Sequence, residues 1–146
     1  MRMRFAVLAL CLLMLAPALA ADAPVAGLPR TTAPAGAKLY FISPVNGQVI
    51  HGDVTVRFGL VGMGVAPAGT VADGSGHHHL IIDAPLPALD QPLPKDEQHL
   101  HFGKGQTETV LKLAPGKHTL QLVLGDANHI PHQPPVLSQR ISITVK

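Results

Sequence analysis

Ring nitrogens dominate the chemistry open to this chain. His77-His78-His79 runs directly into Leu80-Ile81-Ile82-Asp83. Side chains alternate across a strand, so His77 and His79 share one face with Ile81 and Asp83. His78 then falls on the other face with Leu80 and Ile82. His99-Leu100-His101-Phe102 repeats the device, with two imidazoles on one face and two apolar side chains on the other. Laid side by side, the two His-x-His ribbons would gather their imidazoles in a small volume. Imidazole suits copper, zinc and nickel, so the expectation is a transition-metal site built from His77, His79, His99 and His101.

Two further donors come from the His- and Pro-rich loop Asp126 to Pro135, where His129 and His132 flank Pro131. They read equally as ligands and as turn-stabilising residues. Met63, between Gly62 and Gly64, offers a soft ligand for reduced copper or a plug for the core. Structural zinc sites prefer cysteine as well, and the single cysteine, Cys11, lies in the N-terminal apolar run. Copper is therefore the expected metal and zinc the alternative. His78 is expected to be buried and hydrogen-bonded, and His51 and His118 to be structural or exposed. Asp83, Asp96, Glu97 and Asp126 are candidates to fix a ligand tautomer from behind, or else are solvated loop charges. Ligating imidazoles must be neutral and free histidine titrates near ~6.5, so metal affinity is expected to fall as pH drops through that region.

Catalytic patterns are missing. Asp73-Gly74-Ser75-Gly76 lacks the leading glycine of a nucleophile elbow. There is no His-Glu-x-x-His, no phosphate-binding glycine loop before a helix, and no carboxylate pair in an evident cleft. The expectation is a protein that binds and does not catalyse. The competing class is an envelope protein–protein interaction module whose histidines are structural, docking through the loops Ala84 to Glu97 and Asp126 to Pro135.

Residues 1–20 read as a secretory signal: Arg2 and Arg4, an apolar run from Phe5 to Leu15, then Ala18-Leu19-Ala20. The run is short for a span, which needs about 20 apolar residues. Its removal implies a periplasmic protein without stable membrane insertion. Of 146 residues 126 then remain, enough for one domain with a real core. The loss of Arg2 and Arg4 leaves nine basic residues against nine acidic ones. That balance argues against nucleic acid, which needs clustered Lys and Arg. All nine histidines stay in the mature part. Besides a metal ion, the partners left open are a second copy of the chain and an envelope protein.

The elements that must position these residues read as strands. Residues 21–37, rich in Ala, Pro and Gly, read as a flexible lead-in. From Lys38, short β-segments are broken by Gly- and Pro-rich turns: Leu39–Ile42, Val54–Phe58, His77–Asp83, His99–Phe102, Thr107–Leu113, His118–Leu124 and Ser138–Val145. Thr107–Leu113 and His118–Leu124 read as a hairpin closed by Ala114-Pro115-Gly116-Lys117. Four prolines bar Ala84 to Glu97 from a central strand. The pattern predicts one all-β domain over 38–146, an immunoglobulin-like antiparallel β-sandwich of about seven strands.

Several blocks also carry a family resemblance. They are Phe58-Gly59-Leu60-Val61-Gly62-Met63-Gly64-Val65-Ala66-Pro67-Ala68-Gly69, Gly76 to Asp83, His101-Phe102-Gly103-Lys104-Gly105-Gln106-Thr107-Glu108, Pro115-Gly116-Lys117-His118-Thr119-Leu120-Gln121-Leu122 and Gly125 to Val136. Together they resemble the bacterial exported family known as domain of unknown function 4399. The resemblance implies an exported single-domain protein and supplies no activity or site residues.

Overall fold

The computed structural model describes residues 27–146; the expected signal segment and the first part of the lead-in lie outside the described residues. Nine strands follow: β1 Lys38–Ser43, β2 Val49–Ile50, β3 Val54–Val61, β4 Gly64–Val65, β5 Ser75–Ile82, β6 His99–His101, β7 Glu108–Leu111, β8 Gly116–Gly125 and β9 Ile141–Val145. No helix occurs among the described residues. One sheet has the order β1-β3-β7. The other has the order β2-β9-β8-β5-β4, with β6 also paired to β5.

The alternation of β-branched and leucine residues builds a sandwich of the immunoglobulin type. Leu39, Val54, Val56 and Phe58 face inward from the smaller sheet. They meet Leu80, Ile82, Leu120, Leu122, Leu124, Ile141 and Ile143 of the larger one. The strand count exceeds the expected seven because β2 and β4 are two-residue segments. Those two pair parallel with β9 and β5, while the long pairings are antiparallel.

Strand β5 is buried on both faces, as is the end of β8 from Leu122 to Gly125. Across their outer face runs the proline-interrupted stretch 84–97, whose Ala84 and Leu93 pack on Ile81 and Val123, with Leu86 and Leu137 alongside. Burying such a side chain is worth about 1.5–3 kcal/mol, which holds a stretch that prolines deny a strand pairing of its own. This small second core walls one side of the site described below.

Two expectations are corrected. β7 and β8 are not a hairpin: β7 pairs with β3 in the smaller sheet, and β8 lies between β5 and β9 in the larger. β8 carries Leu120, Leu122 and Leu124 on its core face and sits between β5 and β9, and residues 112–115 link the two layers. The described part of the lead-in, residues 27–37, carries more structure than its reading as flexible gave it. Residues 28–33 form a strap against the loop 126–135: Gln133 donates its amide to the Thr31 carbonyl at 2.8 Å, and the Ala33 amide donates to the Gln133 carbonyl at 2.9 Å. Ala33 itself is buried in the main core.

Candidate metal centre

Strand β5 presents His77 and His79 on the outer face of the larger sheet, 1% and 2% exposed. Opposite them on β8 stand Gly125 and Val123. On the other edge β6 pairs in a register that sets His101 across from His79 and His99 across from Ile81. The loop after β8 then brings His129 over the top. Ring centroids of His77 lie 4.8 Å from His79 and 5.0 Å from both His101 and His129. His101 is 4.7 Å from His129 and 5.0 Å from His79, and His79 is 5.9 Å from His129.

Four imidazoles from three chain segments thus surround one small volume. A tetrahedral ion with bonds of about 2.0–2.1 Å to nitrogen would hold its rings with centroids roughly 5 Å apart, close to the spacing found. Donor atoms of His77, His101 and His129 lie within 4.8 Å of one another. His79 stands beside this trio, its Nε2 3.0 Å from Nε2 of His77 in a hydrogen bond. Between two neutral rings one of these nitrogens donates and the other accepts. Nδ1 of His77, Nδ1 of His79 and Nε2 of His101 are buried without any hydrogen-bond partner.

The electrostatics follow from burial and crowding. Burial, then the neighbouring His129 and His101 rings, push His77 down to about 4, with the Asp126 carboxylate pulling the other way. Burial, then His77, His101 and His129, push His79 down to about 2. His101 is lowered too, by burial first and then by His129 and Lys95. Protons therefore compete for the two buried rings at lower pH than the ordinary histidine value of 6.5. The arrangement keeps lone pairs free well into mild acid, as a metal-binding set requires.

Two glycines make room for the rings, and neither was picked out from the sequence. A Cβ on Gly103 would overlap the His101 ring, and one on Gly125 would lie 3.0 Å from Nε2 of His79. Gly103→Ala is expected to cost little stability, because the half-buried His101 ring can swing aside. Doing so takes it out of the cluster, so metal affinity should fall by about tenfold, the lower range for disturbed ligand placement. Unchanged affinity in a titration of this variant would show that His101 is not needed.

The other expected donors lie elsewhere. Nδ1 of His99 is 2.8 Å from Oδ1 of Asp96, and its ring stands over Ile81, one strand pair beyond the cluster. His132 is fully buried, with Nδ1 3.4 Å from the Leu124 carbonyl and Nε2 3.1 Å from that of Ser75. Both of its nitrogens face protein oxygen, leaving no approach for an ion. Met63 packs against the main core, on the opposite side of β5 from the rings. Of the carboxylates, Asp83 accepts from His118 at 2.6 Å and Asp96 holds His99, so neither supports a ring of the cluster. His78 is buried as expected, against Phe58 at 5.0 Å, but both its nitrogens lack partners. Burial pushes it to about 4, and the backbone of Gln106 pulls back without reaching hydrogen-bond geometry.

A family described as domain of unknown function (DUF4399) matches residues 56–146. The chain belongs to this family. All four clustered rings of this DUF4399 chain fall inside the matched span, whereas the strap 28–33 precedes it. No curated protein matches the chain. Among solved structures, the fibronectin(III)-like modules of Clostridium thermocellum CbhA are similar at 10% identity and a TM-score of 0.35. That similarity covers 73% of this chain and 92% of that one.

Proposed function

We propose that this DUF4399 chain is a periplasmic metal-binding protein whose four clustered imidazoles take copper, with zinc as the alternative, for storage, delivery or protection. One observation carries the reading: His77, His79, His101 and His129 converge, and Nδ1 of His77, Nδ1 of His79 and Nε2 of His101 are buried without a partner. An unpartnered buried polar group costs about 1–3 kcal/mol. An ion that takes the lone pairs among these nitrogens removes part of that cost; while the two Nε2 atoms of His77 and His79 share a hydrogen bond, one of the two Nδ1 atoms carries a proton. With Met63 on the far side of the sheet, the donor set is imidazole alone. That favours a divalent ion, and among divalent ions nitrogen donors bind copper most tightly. The role is binding, with no chemistry assigned to the rings beyond coordination.

The test uses untagged protein stripped with a chelator and titrated with copper(II) and zinc(II) at neutral pH. Stoichiometric tight binding is expected, and His99→Ala should retain it because His99 stands outside the cluster. Absent binding in the parent chain would overturn the reading and favour the alternative, an envelope interaction module with structural histidines.

A further inference from the structure

The strap and the left-handed backbone of His129 point to a further feature of this site, one that rests on the metal reading. His129 has φ +67°, a region that costs a residue bearing a Cβ on the order of 1–3 kcal/mol. The turn around it must therefore be held. Asp126, 5% exposed, does so from beneath. Its Oδ1 accepts the amides of Asn128 at 2.8 Å and Ile130 at 3.0 Å. The His129 amide donates to the Asp126 carbonyl, and the Asp126 amide to the Ile130 carbonyl, each at 2.9 Å. The far side of the turn is pinned as well, where the Leu93 amide donates to the His129 carbonyl at 2.9 Å.

The remaining carboxylate oxygen is taken by the strap: the Thr31 hydroxyl donates to Oδ2 of Asp126 at 2.7 Å. Arg30, beside it, donates from Nε to the Pro131 carbonyl at 2.9 Å, and its terminal nitrogens reach the His132 carbonyl and the Gln133 side chain. No atom of this assembly touches a clustered ring through a hydrogen bond, yet it fixes the loop that delivers one of them.

We propose that Asp126, latched by Thr31 of the N-terminal strap, is a positioning residue of the metal site, holding His129 in the strained conformation that aims its ring at His77 and His101. The strap then sets metal affinity without contacting the ion.

The experiment titrates copper(II) into the parent chain, Thr31→Val, Thr31→Ser and Asp126→Asn, and follows amide exchange at Asn128 and Ile130 without metal. Thr31→Val and Asp126→Asn should bind about 10-fold or more weakly, the range for outer partners of metal-bound imidazoles. Their copper(II) resonance should show fewer coordinated nitrogens, and the two amides should exchange faster. Thr31→Ser, which restores the hydroxyl, should restore all three readouts. If Asp126→Asn does not fold, the near-isosteric Thr31→Val carries the test. A parent chain that binds no copper overturns the metal reading and this inference with it. A parent that binds, with Thr31→Val equal to it in affinity and spectrum, overturns the latch alone. Equal weakening by Thr31→Val and Thr31→Ser also overturns the latch, since the hydroxyl would then be irrelevant.

Discussion

Replacing His77 with alanine is expected to weaken copper(II) binding by more than about a hundredfold, since outer partners of bound imidazoles alone cost about 10–100-fold. His77 is the hub of the cluster, within 5.0 Å of the other three rings by centroid. Its loss leaves His101 as the ring that still neighbours both His79 and His129, with one donor fewer. The same substitution removes one unpartnered nitrogen, Nδ1 of His77, and strands another, Nε2 of His79, so the two effects largely cancel in the metal-free fold. Affinity and stability should therefore separate: a large loss in the titration and a small shift in the denaturation midpoint of the stripped protein. Metal affinity within a fewfold of the parent would remove His77 from the site.

Acid should destabilise the metal-free protein on the order of several kcal/mol between neutral pH and pH 4. His77 and His78 are held at about 4 and His79 at about 2 in the fold, against an ordinary 6.5. The unfolded chain thus takes up protons first as pH falls. Stability contributed by these three rings is complete above about pH 6.5 and drains away as pH drops toward each folded value. His118 has the opposite sign. Its partner Asp83, then the Ala114 carbonyl, raise it, so its contribution is complete below pH 6.5 and lost as pH rises through its folded value. One opposing half-buried group does not offset three buried ones. Denaturant titrations in the presence of chelator, at pH 7 and pH 5, measure the slope. His78→Leu should flatten it and raise stability at pH 7 by about 1–3 kcal/mol, because two unpartnered nitrogens leave the core, and it should leave copper binding intact. Equal stability at the two pH values would contradict the buried neutral state of these rings.

Much of the site was legible because alternation is a strong signal. The pattern of His77-His78-His79 with Leu80-Ile81-Ile82 placed two rings on one face and one on the other, and the structure keeps that division. What alternation does not encode is register. Whether His99 or His101 stands across from His79 depends on the path of the 16 residues between β5 and β6, and no local pattern sets it. The choice between His129 and His132 is likewise tertiary: both flank Pro131, but one ring reaches the cluster and the other is enclosed by carbonyls of Leu124 and Ser75. Asp126 was visible as a carboxylate near a histidine, yet it hydrogen-bonds the backbone of the turn and not an imidazole nitrogen. The false hairpin at Ala114 to Lys117 has the same origin. A turn motif shows that the chain changes direction, and the pairing of β8 with β5 and β9 decides which sheet receives it.

Thr31 and Asp126 are separated by 95 positions in the chain. His77, His79 and His101 meet across one short strand pairing, whereas His129 is fixed only after the two distant segments have closed on each other. Closing so long a loop costs entropy that the finished domain alone repays. Three rings are thus placed by local register and the fourth by closure across most of the chain, so the position of His129 is the one that depends on a completed fold.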